Sequence, residues 1–132
     1  MNIVIFGSRT LFPDIPTIFN AIKALGYLEG DIDSIISGMA IGVDTAALRF
    51  AEDFDKQIIK CPADWEKHGK VAGFISNQEM CDIADAAICF WDGKSRGTQD
   101  MIKRVVAKGI PLSIQVNTTK PTQVKEYNIV GI

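Results

Sequence analysis

Short apolar runs that end in a glycine turn and then pass into a helical pattern recur along this chain, and that alternation limits the fold more than any other feature. Residues 3–6, Ile3-Val4-Ile5-Phe6, form an unbroken β-rich run suited to a central strand buried on both faces, and they break at Gly7-Ser8-Arg9-Thr10. Ser34-Ile35-Ile36-Ser37 leads into Gly38-Met39-Ala40-Ile41-Gly42-Val43-Asp44 and an Ala-rich helix through about Phe54. Ala86 to Trp91 leads into Asp92-Gly93-Lys94-Ser95-Arg96-Gly97-Thr98-Gln99-Asp100, with a helix expected over 101–108. Further strands are expected at 57–61 and 110–116. Asp14 can cap a helix with Pro16 in its first turn, Ile15, Ile18, Phe19, Ile22 and Leu25 at helical spacing, and Gly26 as its stop. A helix over 71–84 would carry Phe74, Ile75, Met80 and Ile83 as its apolar stripe. Together these predict an α/β fold: one three-layer, Rossmann-like open parallel sheet of about five strands with helices on both faces. Residues 1–132 read as a single domain, with 117–132 an irregular or edge-strand tail.

Composition narrows the function classes. The chain has 132 residues, 47% apolar and 23% charged, which fits one ordinary globular domain and excludes a disordered one. A net charge of −2 gives no general attraction to a nucleic-acid backbone, so nucleic acid is disfavoured as a partner and any phosphate binding must be local. The three cysteines, Cys61, Cys81 and Cys89, have no Cys-x-x-Cys spacing and read as small buried apolar residues of a reducing cytoplasm. The opening residues lack a basic leader, and no stretch approaches the roughly 18 apolar residues of a membrane span. No metal site or cofactor is expected: His68, the sole histidine, has no Cys or His near it in sequence.

The glycine turns carry the chemistry. In an open α/β sheet they lie at the carboxyl ends of the strands, where such folds bind ligands. Gly7, Ser8 and Arg9 supply a tight turn, a hydroxyl and a permanent cation; Gly38 opens the second turn. Asp92, Gly93, Ser95, Arg96, Gly97 and Thr98 form a third turn running into a helix N-terminus, whose free N–H groups and dipole favour an anion. Asp44 falls in the first turn of its helix, where it either complements the dipole or orients a ligand hydroxyl. Asp64, Trp65 and Lys70 lie in a long connection that suits a lid, with Trp65 either a stacking wall for a base or an anchor on the core.

Taken together, these residues resemble the SLOG superfamily, the Rossmann-like group that includes DprA/Smf and the Lonely Guy phosphoribohydrolases. Ile5 to Arg9 and Ser37 to Ala47 look like the two DprA-type loops. Pro62-Ala63-Asp64-Trp65, Gly69 to Gly73, Asn77 to Met80 and Gly93 to Met101 are more similar to the small stand-alone YspA-like branch found in bacteria and their phages. The likeness runs from about Ile3 to Val116. It departs from the pattern at Ser76, where an arginine is expected before Asn77, and at Asp100, a shorter carboxylate than the catalytic Glu of the Lonely-Guy-like loop. The resemblance implies a nucleotide or nucleotide-derived ligand, with Asn77 among the binding residues. It leaves open N-glycosidic hydrolysis of nucleoside monophosphates, with Asp100 or Asp44 as the catalytic carboxylate, single-stranded DNA binding of the DprA kind, and a homodimer paired through helices.

Overall fold

The computed structural model describes residues 1–117 and 124–129, the last seven of these (117 and 124–129) as backbone only. Its strands are β1 (Asn2–Gly7), β2 (Ser34–Ser37), β3 (Gln57–Lys60), β4 (Ala86–Trp91), β5 (Leu112–Asn117) and β6 (Val124–Ile129). The helices are α1 (Ile15–Ala24), α2 (Val43–Asp53), α3 (Trp65–His68), α4 (Ala72–Ile83) and α5 (Arg96–Lys108). The sheet order is β3-β2-β1-β4-β5-β6; the first five strands are parallel and β6 pairs antiparallel on the β5 edge. This is the expected Rossmann-like architecture. The expected tail of 117–132 contributes that edge strand, and 118–123 and 130–132 lie outside the described residues.

Period-two alternation divides the core into two layers. Ile3 and Ile5 of β1, Ile35 of β2 and Ile88 of β4 face α1 and α2, packing on Ile18, Ile22, Val43 and Phe50. Val4, Phe6, Ile36 and Cys89 face α4 and α5, packing on Met80, Cys81, Met101 and Val105. The crossovers from β1 to β2 and from β2 to β3 run in one direction along the sheet and place α1 and α2 on one face. The chain then jumps from β3 to the far side of β1, so its later helices fall on the other face. The winding reverses between β1 and β4, paired in register from Ile3 with Ala86 to Gly7 with Phe90.

Asp14 caps α1 as expected, its Oδ1 accepting the Thr17 N–H at 2.9 Å. Three local expectations need correction. First, α5 begins at Arg96 and not near 101, because Ser95 is its N-cap and Asp92 closes the preceding turn by accepting the Lys94 and Ser95 N–H groups, both at 2.8 Å. Second, the connection at 62–73 contains α3 and a 3-10 turn at Gly69–Val71, with Asp64 capping α3 through the Lys67 N–H. Third, α4 buries Ala72, Ser76, Met80 and Cys81 while Phe74 and Ile83 stay exposed. Ser76 donates to the Cys61 carbonyl, and that bond together with two small side chains draws this face of the helix onto the sheet.

Candidate functional site

The loops after β1, β2, β3 and β4 converge, with α4 as a further wall, on a cavity of about 700 Å3 above the carboxyl ends of the strands. Arg9 enters from the β1 loop, Gly38 to Ile41 and Asp44 from the β2 loop and α2, and Trp65 and Lys70 from the β3 connection. Ser95, Arg96, Gly97 and Thr98 enter from the start of α5. Arg9 and Arg96, 87 positions apart by their numbers, therefore line one space.

Close backbone packing holds the first two loops together. A Cβ on Gly7 would fall 2.0 Å from the Phe90 carbonyl oxygen, so only glycine lets β1 end beside β4 here. Gly42 has a φ of 83°, and a Cβ on it would lie 2.5 Å from the Arg9 carbonyl oxygen and 2.6 Å from that of Ser8. The α2 N-terminus is closed by the same contact, since the Val43 N–H donates to the Ser8 carbonyl at 3.3 Å. Ser37 Oγ accepts the Met39 N–H at 3.1 Å and holds Met39 in the left-handed region at a φ of 65°.

Several expected binding residues turn out to build the cavity instead of facing it. Ser8 is buried: its N–H donates to the Phe90 carbonyl at 3.0 Å and its Oγ accepts the Asp92 N–H at 2.9 Å, stitching the two loops across the point where the winding reverses. Asp92 spends one carboxylate oxygen on two amides. Burial acts to raise its pKa, but those amides outweigh burial and hold it below the ordinary carboxylate value. Gly93 serves the same turn with a φ of 81°, and Asp64 caps α3. None of these four, nor His68, lines the cavity.

The two candidate catalytic carboxylates separate. Asp100 does not line the cavity. Arg104 grips it with Nε to Oδ2 at 2.8 Å and Nη2 to Oδ1 at 3.3 Å, and Asn77 Nδ2 donates to Oδ2 at 3.0 Å. Burial acts to raise its pKa, yet the Arg104 and Asn77 bonds prevail and lower it. Asn77 also donates to the Gly97 carbonyl at 3.1 Å, fixing α4 to the first turn of α5. Asp44, by contrast, lines the cavity while only 7% exposed. Burial pushes its carboxyl up to about 6, against the Ala40 N–H bond at 3.1 Å to Oδ2 and the positive charge of Arg9.

At the start of α5 the amides are left open. Among the described residues the Arg96 and Gly97 N–H groups have no protein acceptor, and Ser95 Oγ reaches the Thr98 N–H only at 3.5 Å. A Cβ on Gly97 would meet nothing within 4 Å beyond its own helix.

The sequence reading missed the apolar walls of this cavity. Phe6, Met80 and Met101 form part of them, and Met39, Ile41 and Phe74 are exposed large apolar side chains, Ile41 by 65%. Trp65 lines the cavity with 53% of its surface exposed and packs its ring edge 3.4 Å from where a Gly73 Cβ would stand. The available signal was large apolar residues inside turns, where packing alone does not call for them. Among the described residues no cluster of His, Cys, Asp and Glu could hold a metal ion, and no helix is long and apolar enough to cross a membrane.

Fold and cavity together define a Rossmann-like α/β protein with a polar-floored, apolar-walled site at the carboxyl rim of its sheet. The chain is 33% identical over 117 residues to the Gene 61 protein of Mycobacterium phage D29, a match that covers 84% of this chain and 93% of that one. It belongs to the family of that phage protein. No protein-family model matches the chain, and no solved structure does.

Proposed function

We propose that the protein binds a nucleotide or nucleotide-derived small ligand in this cavity, the reading that the resemblance to the SLOG superfamily implies. The observation that supports it is the convergence of Arg9, Lys70 and Arg96, carried by three separate loops, on one cavity that also receives the open N-terminus of α5. A phosphate fits there: unpartnered amides and the helix dipole face it, with guanidiniums beside it. Trp65, Met39 and Phe74 offer the apolar wall that a base needs. Charge-assisted bonds contribute roughly 1.5–3 kcal/mol each, so two or three supply about 3–9 kcal/mol, and only three at the upper end reach micromolar order without help from the base. Titration calorimetry against mononucleotides, ADP-ribose and NAD tests the reading. Saturable binding that weakens at least ten-fold in Arg96→Ala is expected; silence across the panel, or binding indifferent to Arg96→Ala, would overturn it.

A second reading, hydrolysis of the N-glycosidic bond of a nucleoside monophosphate, draws support from Asp44. A buried carboxyl titrating near 6 and facing the cavity suits a general base that takes a proton from water as the C1′–N bond breaks, giving free base and ribose 5-phosphate. Release of free base, followed chromatographically, should vanish in Asp44→Asn and survive in Asp100→Asn. An inert wild type would leave the binding reading alone in place.

A further inference from the structure

We infer that Asp44 reads a sugar hydroxyl of the bound ligand, so that the cavity favours ribonucleotides over their deoxy counterparts. The inference rests on the proposed nucleotide site and adds a specificity-determining residue to it.

The geometry that carries it is an unfinished hydrogen-bond set. Asp44 is 93% buried by its 7% exposure, and its Oδ2 accepts from the Ala40 N–H at 3.1 Å. Its Oδ1 has no partner among the described residues, yet it is not a sealed-off orphan, since Ser113 Oγ is the one fully enclosed polar side-chain atom without a partner there. Asp44 lines the cavity, and Oδ1 is its oxygen left to bond a ligand there. A buried carboxylate oxygen left without a donor costs free energy, and a ligand O–H or N–H removes that cost.

The rest of the wall decides which donor fits. The other polar side chains there are already engaged: Ser76 with the Cys61 carbonyl, Asn77 with Gly97 and Asp100, and Thr98 Oγ1 with Ser95 Oγ at 3.1 Å. The cations and the α5 amides suit the phosphate, and the exposed indole of Trp65 suits the base. Asn77 spends only its amide N–H groups and keeps its Oδ1, so Asp44 is the charged acceptor left for what joins the two, the sugar. A Cβ on Gly38 would lie 3.1 Å from Asp44 Oδ2 and 3.3 Å from Met80 Cε, so only glycine leaves room beside the carboxyl, which feels the Arg9 charge.

The test is calorimetric titration of the full chain with AMP, GMP, CMP and UMP, each beside its 2′-deoxy and 3′-deoxy counterparts. For the base that binds, loss of one of the two hydroxyls should weaken wild-type binding by about ten-fold or more, the scale of a hydrogen bond to a charged acceptor. In Asp44→Ala the penalty should shrink to about two-fold or less. Asp44→Asn, which keeps an acceptor for the Ala40 N–H, should cut it at least five-fold with a retained melting transition and so covers a failure of the alanine variant to fold. A purely structural Asp44 would leave the hydroxyl penalty unmoved. Ribo and deoxy ligands binding equally to wild type, or a penalty that persists in Asp44→Asn, would overturn the inference while the nucleotide site stands; silence from every nucleotide would overturn both.

Discussion

The β2–α2 turn and the β4–α5 turn look alike in sequence, each a strand followed by paired glycines, a hydroxyl and an acid in the next helix, but they use their acids differently. In the β2–α2 turn Met39 donates to Ser37, Ala40 to Asp44 and Val43 to Ser8, one oxygen of Asp44 is left over, and among the described residues the Asp44 and Thr45 N–H groups have no protein acceptor. In the β4–α5 turn the protein consumes the carboxylates: Asp92 takes two amides and Asp100 takes Arg104 and Asn77, and the Arg96 and Gly97 amides are left over. Of the two turns only β2–α2 therefore brings a carboxylate to the cavity, while the β4–α5 turn keeps its acids away and brings Arg96 and open amides. A molecule carrying both an anion and a hydroxyl complements the pair, whereas a bare anion uses only half of it.

The glycines repeat the contrast, and breaking them produces the largest expected effects. Gly42→Ala forces a Cβ against two backbone carbonyls at a φ of 83°. Strain and clash together should cost on the order of 3 kcal/mol or more, seen as a fall in melting temperature of about 10 °C or greater. Gly97→Ala meets no neighbour and replaces a helical glycine, so it should hold or raise stability by up to about 1 kcal/mol. It should nonetheless weaken nucleotide binding about ten-fold, if ligand contact is the reason a residue so costly to a helix stands there. Equal melting losses in the two variants would erase the distinction between a glycine kept for packing and one kept for a ligand.

Next in size is the pH dependence carried by Asp44. Its folded-state pKa of about 6 lies above the ordinary 3.8, so the native state holds the proton more tightly than the unfolded chain. The stability from this proton is fully present below pH 4 and is lost as pH rises through 6, about 3 kcal/mol in all. Asp44→Asn should flatten that part of the urea-denaturation profile and exceed wild type in stability at pH 7 by on the order of 2 kcal/mol. A wild-type profile flat between pH 4 and 7 would mean that the carboxyl is better solvated than its surroundings imply.

Much of this was legible from the residues alone. Unbroken apolar runs at β1 and β4 marked buried parallel strands, Asp14 with Pro16 marked a helix start, and glycine at three strand ends pointed to the rim where Arg9 and Arg96 meet. What was not legible depends on contacts distant in sequence. Nothing local tells Gly42 from Gly97, because the carbonyls that press on Gly42 belong to Ser8 and Arg9. The face of α4 was misjudged because hydrophobicity favours Phe74 and Ile83 for the interior, while the deciding bond runs from Ser76 to Cys61. The early start of α5 had a local signal in Ser95 as a cap, outweighed by the poor helix propensity of Gly97 and Thr98.

The smallest expected effect separates the two acids most cleanly. Asp100 and Arg104 form an i,i+4 ion pair with both side chains partly exposed, 24% and 30%, a class that contributes about 0.3–1 kcal/mol. Asp100→Asn should therefore lower stability by no more than about 1 kcal/mol at pH 7. The sign of its pH dependence is opposite to that of Asp44: a carboxyl held below its ordinary 3.8 stabilises the fold above that value and loses the contribution as pH falls from there through its lowered folded-state pKa. Acidification from pH 5 to 3 should thus narrow the gap between wild type and Asp100→Asn, a difference in which the Asp44 contribution, common to both proteins, cancels. Because Asp100 does not line the cavity, nucleotide affinity should stay within about two-fold of wild type. A ten-fold loss of affinity in Asp100→Asn, with the melting transition intact, would show that Asn77 and the Gly97 carbonyl it holds transmit the acid's position to the α5 amides, and the contrast between a working acid and a supporting one would have to be redrawn as a difference of degree.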